Sequence, residues 1–363
     1  MSELESPDQV SVSELDRFCR ATLQAAGADA ATVDAATRAM MHGAMLGVDS
    51  HGVRLLDHYI AVLTGGRVNP SPKLRLVRET GAVAVLDADD GHGALAAYFA
   101  MDQAVRLASA SGIGAVAIRN SSHFGPAGAF ALAAAEAGMI GLAMCNANSL
   151  VRLHDGAAPF HGTNPIACAV PVDGQRPWLL DMATSAIPYN RIQLYKSLGR
   201  GLPAGTASRR DGEDTDDPEV VEMLAPLGGD FGYKGAGLAG LADIFSAALS
   251  GMRLSFEIAA MFGPDFTTPR ELGAFVMALK PGAFVEEETF RDGMRRYLTA
   301  LRGSPARAGG KVMAPGDREW AEADRRAAEG APLDPATLAA FRRLAERFGI
   351  AMPRTTTSKE ETK

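Results

Sequence analysis

Between residues 82 and 145 short apolar runs alternate with longer segments, and this alternation restricts the fold more than any other feature of the chain. Short apolar runs bounded by turn residues predict buried strands, and the segments between them have the length of helices. Strands and helices alternating at this spacing are typical of an α/β unit with a layered sheet. The expected elements are strands at 82–86, 114–118 and 140–145 and helices at 94–110 and 127–137.

The rest of the chain is predicted to extend the sheet and to add helices at both ends. Further strands are expected at 166–170, 178–180 and 272–279. Ser11 and Glu14 have the S-x-x-E spacing of a capping box ahead of the first helix. The other helices are expected at 30–46, 53–64, 238–250, 286–302, 316–328 and 335–347.

The composition excludes several classes of protein. The formal net charge is −7, and no basic stripe with interleaved aromatic residues indicates a nucleic-acid partner. Cys19, Cys145 and Cys168 have no CxxC spacing, which argues against zinc fingers and disulfide scaffolds. The first ten residues do not resemble a secretory signal, and the most apolar stretch, 127–145, contains Glu136. We therefore expect a soluble cytoplasmic protein that binds neither nucleic acid nor membrane.

Three glycine-rich stretches match or nearly match the dinucleotide fingerprint G-x-G-x-x-G/A. They are GHGALA at 91–96, GIGAVA at 112–117 and GAGLAG at 235–240, in a chain with 39 glycines. A true fingerprint follows the first strand directly, and an acid about 20 residues later binds the ribose. None of the three stretches has this context, so an ordinary Rossmann fold is not expected.

Lys234 lies just before the third glycine stretch, where a helix is predicted to begin. Helix N-termini attract anions, and a lysine adds a point charge suited to phosphate. The alternative interpretation is that Lys234 is a solvated loop residue, because its position by itself does not decide between the two.

His123 is the first candidate for acid–base chemistry. It belongs to the segment RNSSHFG at 119–125, which follows a predicted strand and precedes a helix. Ligands of α/β proteins bind at strand ends, and a histidine there can transfer a proton near neutral pH. A lone histidine is also commonly a structural residue with satisfied hydrogen bonds.

A second polar cluster is the segment DSHGVR at 49–54. Capping of the following helix would explain Asp49 or Ser50 but leaves His51 and Arg54 without a role. Arginine is the usual clamp for a substrate carboxylate. The cluster is therefore a candidate for substrate binding.

Two other segments are less informative by chemistry alone. Residues 162–165, GTNP, have the composition of a turn, and residues 181–185, DMATS, follow a predicted strand with small polar side chains. All seven histidines lie between His42 and His161, but no HExxH or Cys/His cluster occurs, so a metal site is not expected.

Taken together and in this order, the segments resemble the malate/L-lactate dehydrogenase family of type 2. This group also includes ureidoglycolate, sulfolactate and 2,3-diketogulonate oxidoreductases and the piperideine/pyrroline-2-carboxylate reductases. The resemblance spans roughly residues 12 to 320, and the ordered set is specific although each piece alone is weak. The matching segments are DSHGVRLLDHY (49–59), GIGAVAIRNSSHFG (112–125), HGTNPIACAVP (161–171), LDMATS (180–185), DDP (216–218), GYKGAGLA (232–239), RELGAFVMALKP (270–281) and APGD (314–317).

The resemblance implies an α/β fold that binds a dinucleotide without a Rossmann domain, of the L-sulfolactate dehydrogenase-like type, with helical N- and C-terminal parts packed together. It also implies a homodimer with active sites in clefts between domains. The expected division is a helical domain at 1–75 plus 286–350, a cofactor-binding sheet domain at 76–120 plus 160–285, a smaller inserted α/β segment at 121–159 and a disordered tail at 351–363.

The reaction implied is hydride transfer between NAD(P)H and a small 2-hydroxy or 2-oxo acid. His123 matches the family's catalytic histidine, which would donate a proton to the substrate during reduction. The implied catalytic residues are His123, His51 and Ser50; those for substrate are Arg54, Tyr59, Arg270 and Thr163; those for the cofactor are Ala147, Asp181, Met182, Ala183, Lys234, Pro315 and Gly316.

Some positions depart from the family pattern. Many members have an arginine four residues after the histidine of SHG, where this chain has Leu55, with Arg54 one residue earlier. One residue along a helix rotates a side chain by about 100°, so an arginine at position 54 points in a different direction from one at position 55. This departure bears on the identity of the substrate rather than on the class of reaction. A reductase of cyclic 2-imino acids is the alternative, and a histidine-based metal enzyme or a non-catalytic binding protein is a remote one. Arg191, Arg209 and Arg210 slightly favour NADP over NAD.

Overall fold

The computed structural model describes residues 8–197 and 199–355. Its helices are α1 Val12–Ala25, α2 Ala30–Met45, α3 Leu56–Gly65, α4 Gly93–Ser111, α5 Ala127–Glu136, α6 Tyr189–Ser197, α7 Tyr233–Asp243, α8 Glu287–Arg302, α9 Asp317–Glu329 and α10 Pro335–Phe348. Its strands are β1 Asp8–Val10, β2 Arg75–Thr80, β3 Val83–Asp87, β4 Ile113–Ser121, β5 Ile140–Cys145, β6 Val151–Arg152, β7 Pro159–His161, β8 Ile166–Val170, β9 Trp178–Met182, β10 Ala207–Ser208, β11 Met223–Leu224, β12 Leu272–Leu279 and β13 Ala331–Leu333.

The central sheet has seven strands in the order β2-β3-β4-β12-β5-β8-β9. β3 and β4 are parallel and are joined through α4, and the other neighbouring strands pair antiparallel. This arrangement confirms the predicted strands and helices between residues 82 and 145.

The sheet crosses one predicted domain boundary. Strand β5, inside the segment 121–159, is hydrogen-bonded to β12 on one side and to β8 on the other. The prediction of a separate inserted unit at 121–159 is therefore wrong for this strand. The buried backbone N–H and C=O groups of β5 need hydrogen-bond partners on both sides. The neighbouring strands β12 and β8 of the central sheet supply these partners.

Helices α4 and α5 cover one face of the sheet through a core made largely of alanine. The backbone of α4 lies very close to that of β4. A Cβ added to Gly114 of β4 would lie 2.0 Å from the backbone oxygen of Ala104 in α4. On the other face Phe245, in a wider turn of π type that follows α7, packs on Phe275 of β12 with ring centroids 4.8 Å apart. Helices and side chains thus cover the centre of the sheet on both faces.

Of the C-terminal helices, α9 and α10 pack against the N-terminal helices, as predicted. The prediction is wrong for α8, because Leu298 of this helix packs with Val172 and Trp178 beside β8 and β9. Phe18 of α1 contacts Phe341 of α10 with ring centroids 4.6 Å apart, and β1 pairs with β13. Arg326 of α9 donates to the backbone oxygen of Ala44 in α2 at 2.7 Å and forms an ion pair with Asp49.

Part of the predicted disordered tail is ordered against α1. Arg17 donates to the backbone oxygen of Ala351 at 3.1 Å, and Arg354 pairs with Glu14 at 3.0 Å. The prediction is wrong for 351–355 because charged side chains of α1 bind this segment, whereas 356–363 lie outside the described residues.

The structure also contains elements that apolar patterning did not indicate. These are β2, α6 and a small sheet in the order β10-β11-β6-β7, and α7 begins at Tyr233 rather than at residue 238.

Candidate active site

Segments that carry predicted site residues meet at one end of the central sheet. Ser121 ends β4 opposite Leu272, which begins β12, and Cys145 ends β5 beside that same strand. Ile166 begins β8 opposite Met182, which ends β9. With about 4.8 Å between neighbouring strands, the four steps from β4 to β9 span about 19 Å, the scale of an extended dinucleotide. The residues next to these strand ends are His123, Arg270, Ala147, Thr163, Asp181, Met182 and Ala183.

His123 lies between two groups from the helical part of the chain. The Tyr59 hydroxyl is 3.0 Å from its Nδ1, and the ring of His51 stacks on it with centroids 5.7 Å apart. The Ser50 hydroxyl is 2.8 Å from Nδ1 of His51. Since hydroxyl groups engage both Nδ1 atoms, the Nε2 atoms are the ones left for a ligand. The structure therefore brings together all three predicted catalytic residues.

The histidines of this cluster are held neutral. Burial, reinforced by the neighbouring histidines and by Arg270, lowers the pKa of His123 well below 6.5. Burial also lowers the pKa of His51 to about 4. Because burial disfavours the charged form, His123 is neutral at neutral pH, and it holds a proton only when a bound ligand compensates the charge.

Arg270 is a buried cation without an acidic partner. Its Nε donates to the backbone oxygen of Ala259 at 2.9 Å, and its Nη2 donates to Oδ1 of Asn148 at 2.7 Å. Burial and the nearby charge of Arg67 lower its pKa to about 10, so it stays protonated at neutral pH. No carboxylate of the described residues forms an ion pair with it. A buried charge without a counter-ion favours an anionic ligand.

The predicted cofactor residues near β9 form one continuous surface. Oδ2 of Asp181 accepts from the backbone N–H of Gly128 at 2.9 Å, and the residue is exposed at the end of β9. The backbone oxygen of Pro315 accepts from Leu179 N–H at 3.2 Å, which holds Pro315 and Gly316 beside the same strand.

A short chain of backbone hydrogen bonds links Lys234 to this surface. Leu227 donates to the oxygen of Thr184 at 2.9 Å, and its own oxygen accepts from Gly235 at 3.1 Å. Lys234 is exposed at the start of α7, and its Nζ lies 5.2 Å above the ring of Phe231. In the described part of the chain its ammonium forms no ion pair.

This edge of the sheet fits a nicotinamide dinucleotide by its donor set. The small side chains of Ala147 and Ala183 are partly exposed and leave the backbone accessible. The Asp181 carboxylate can accept from ribose hydroxyls, and Lys234 at a helix N-terminus is suited to a phosphate. A buried Oδ1 of Asn146, next to Ala147, has no hydrogen-bond partner in the structure.

Arg54 is the predicted substrate residue that the structure places elsewhere. Its Nη1 lies 3.7 Å from Oδ2 of Asp334 ahead of α10, and 45% of its side chain is exposed. Leu55 is buried in the helical core. Because this apolar side chain faces inward, Arg54 is rotated towards solvent, and the prediction of a substrate contact is not supported.

Sequence reasoning missed three residues of this region. His92 caps α4 by accepting from Ala94 N–H at 3.2 Å, and its ring packs edge-on to Tyr59 at 4.3 Å. Asn148 orients Arg270, and Asn164 accepts from Ala147 N–H at 3.1 Å. The position of His92 two residues before a predicted helix start was a signal for this residue. Asn164 lies in the GTNP segment, where only Thr163 was assigned a role, and nothing local indicated Asn148.

None of the helices among the described residues is long and apolar enough to cross a membrane.

Comparison with known proteins places the chain in a family. The sequence profile of malate/L-lactate dehydrogenase matches residues 10–342. Malate dehydrogenase of Pyrococcus abyssi is 36% identical over 313 residues, which cover 84% of this chain and 85% of the relative. Ureidoglycolate dehydrogenase (NAD(+)) of Escherichia coli is 30% identical over 316 residues, 87% of this chain and 88% of the relative. (2R)-3-sulfolactate dehydrogenase (NADP(+)) of Chromohalobacter salexigens is 31% identical over 294 residues, 80% and 85% of the two chains.

The fold agrees with this relationship. The crystal structure of delta1-piperideine-2-carboxylate reductase from Pseudomonas syringae superposes with a TM-score of 0.82 at 29% identity, covering 93% of this chain and 99% of that chain. The mixed α/β architecture, the site residues at one sheet edge and the match over most of the length lead to one conclusion. The chain belongs to the malate/L-lactate dehydrogenase family and is an NAD(P)-dependent oxidoreductase.

Proposed function

We propose that the protein transfers hydride between a nicotinamide nucleotide and a small 2-hydroxy or 2-oxo acid, with His123 as general acid and base. The observation that carries this proposal is the Tyr59–His123–His51 group, which shares the end of the sheet with the buried Arg270. Within residues 8–197 and 199–355 this arginine has no acidic partner. A proton carrier beside a carboxylate clamp is the arrangement that reduction of a 2-oxo acid requires.

In the proposed mechanism Arg270 binds the substrate carboxylate and so orients the acid. Asn148 holds the guanidinium through Nη2, which leaves Nη1 without a hydrogen-bond partner in the described part of the chain. The nucleotide supplies or accepts the hydride when it is bound. Nε2 of His123 delivers a proton to the substrate oxygen in reduction and removes it in oxidation, while the Tyr59 hydroxyl holds the imidazole.

Reduction of a cyclic 2-imino acid is the second candidate. Leu55 stands where many family members have an arginine, and Arg54 points away towards Asp334. A site with Arg270 as its cation suits a substrate with a single carboxylate, which a cyclic imino acid and pyruvate have and oxaloacetate does not. Assaying pyruvate and oxaloacetate beside piperideine-2-carboxylate separates the two candidates.

The nucleotide is NAD or NADP, and we favour NADP weakly from Arg191, Arg209 and Arg210. Relatives of nearly equal identity carry NAD(+) and NADP(+) in their names, so similarity does not choose between them. Arg209 and Arg210 line a surface groove together with three acidic residues, which weakens the preference. A thermal-shift screen with the oxidised and reduced forms of both nucleotides identifies the cofactor.

We also propose that the cofactor-binding sheet is not a Rossmann domain and that the protein is a cytoplasmic homodimer. The mostly antiparallel sheet supports the first part, because a Rossmann sheet is mostly parallel. Exposed apolar side chains on α7 and the turn after it, Leu238, Leu241, Ile244 and Leu249, support the dimer. Light scattering on the purified protein should give twice the mass of 38.0 kDa.

The test of the catalytic role is His123→Ala. We expect it to lower turnover by about 100-fold or more, because general acid–base groups contribute rate factors of that size. The Kd of the nucleotide should stay within about twofold, since the change removes a proton carrier rather than a cofactor contact. Near-normal turnover would refute the assignment of His123.

A further inference from the structure

Asn164 occupies the centre of a buried polar network behind the predicted cofactor segments. It belongs to the GTNP segment that by chemistry alone is a turn, yet its side chain is 0% exposed. Its φ of +32° lies in the left-handed region, which asparagine tolerates better than most residues.

The Asn164 side chain joins three separate parts of the chain. Its Oδ1 accepts from the backbone N–H of Ala147 at 3.1 Å and from the Ser255 hydroxyl at 3.3 Å. Its Nδ2 donates to the backbone oxygen of Ala239 in α7 at 3.0 Å. All three partners would lose a buried hydrogen bond if the amide were removed.

The Asn164 backbone reaches the second cofactor segment. The Thr184 hydroxyl donates to the backbone oxygen of Asn164 at 3.2 Å and to that of Thr163 at 3.1 Å. Thr184 directly follows Asp181–Ala183. Asn164 is therefore bonded both to Ala147 and to the residue that follows the segment 181–183, and these are the two stretches of backbone that face the proposed nucleotide.

Residues on either side of Ala147 extend the network towards the substrate. Nδ2 of Asn146 donates to Oδ1 of the buried Asp243 at 2.8 Å. On the other side, Oδ1 of Asn148 accepts from Arg270. The segment 146–148 is therefore held at three consecutive residues, and its position also sets that of the substrate arginine.

We propose that Asn164 is a positioning residue of the nucleotide site, which fixes the backbone at Ala147 and beyond Ala183 in the conformation that binds the dinucleotide. This inference rests on the proposed function. Asn164 itself is fully buried, so it acts through Ala147 and Thr184 rather than by touching the nucleotide.

The experiment compares Asn164→Gly and Thr184→Val with Ser208→Ala as a matched control. Glycine accepts the positive φ and removes the side chain with its amide, and valine keeps the volume of threonine without its hydroxyl. Ser208 is equally buried and hydrogen-bonded but lies in the small sheet. The readouts are thermal stability and the Kd of NADH and NADPH from fluorescence, without substrate.

We expect the Kd to rise about tenfold in Asn164→Gly and about threefold in Thr184→Val. Ser208→Ala should lose thermal stability without a change in the Kd of NADH, which lacks the phosphate that Arg209 and Arg210 would contact. A folded Asn164→Gly with a Kd within twofold of the parent overturns the positioning role. If that variant shows no cooperative unfolding, Thr184→Val decides by the same criterion. If the parent chain binds no nucleotide, the proposed function fails together with the positioning role. If the parent chain binds the nucleotide and Asn164→Gly binds it equally well, only the positioning role fails.

Discussion

The Tyr59 hydroxyl, 3.0 Å from Nδ1 of His123, orients the imidazole. Tyr59→Phe keeps the ring that packs on His92 and removes only this hydrogen bond. We expect kcat to fall about tenfold, because a loosely held imidazole transfers its proton less efficiently. Steady-state kinetics with the nucleotide and the acid varied in turn measure the effect. An unchanged kcat would mean that the hydroxyl does not hold His123.

Two arginines test where the substrate carboxylate binds. Arg270→Lys keeps the positive charge but cannot bind Asn148, Ala259 and a carboxylate in the geometry of a guanidinium. We expect it to raise the KM of the acid by about tenfold or more. Arg54→Ala should leave that KM within about twofold, because the side chain faces Asp334. The reverse result would restore Arg54 as the substrate clamp.

At the scale of residues, the motifs indicated which residues lie in the candidate site better than they indicated the contacts of each one. Ser50, His51, Tyr59, His123 and Arg270 were all identified from the sequence, and the structure groups the first four directly. Arg54 was misassigned because its direction depends on the helical phase that the burial of its neighbour imposes.

At the scale of elements, α4 and the segment after β4 are in direct backbone contact. A Cβ added to Gly93, the first residue of α4, would lie 2.2 Å from the backbone oxygen of Ser122. Gly93→Ala should therefore displace His123, lower kcat and destabilise the fold by about 1–3 kcal/mol. Urea unfolding and kinetics on the same preparation measure both effects.

Gly293→Ala is the matched control for this substitution. Gly293 lies inside α8, and a Cβ there meets nothing within 4 Å. We expect this variant to gain up to about 1 kcal/mol of stability, because alanine favours a helix more than glycine does. Equal stability losses in both variants would mean that the close approach at Gly93 is unimportant.

Elements with a clear apolar period were predictable, and those without one were not. The helix at Gly93–Ser111 and the strand at Ile140–Cys145 match their predictions within one residue. β2 was not predicted because most of its side chains are exposed and show no regular burial. The strands of the small sheet were not predicted because they have only two or three residues each, and β11 pairs with β6 more than 70 residues away.

At the scale of the whole molecule, buried histidines link stability to pH. Burial lowers the pKa of His42, His51 and His58 to about 4 and that of His92 to about 3, against 6.5 in an unfolded chain. Below pH 6.5 the unfolded chain therefore binds more protons than the folded one, and the free energy of unfolding falls. Each histidine contributes a slope of up to about 1.4 kcal/mol per pH unit.

Urea unfolding at pH 7.5, 6 and 5 measures this dependence. We expect stability to be nearly constant above pH 7 and to decline steadily between 6.5 and 4. His42→Gln, which removes a titrating group inside α2, should reduce the slope by about the share of one histidine. The same slope in the parent and this variant would argue against a neutral buried His42.

The sequence by itself determined the α/β class, most of the helices and strands, and most residues of the candidate site. These properties depend on local periodicity and on short motifs, which a single chain carries without its partners. The direction of Arg54, the place of β5 and the network around Asn164 depended on the tertiary structure. Each depends on contacts between segments that lie about a hundred residues or more apart in the sequence. Only the packing of the whole chain decides which of these side chains and strands meet.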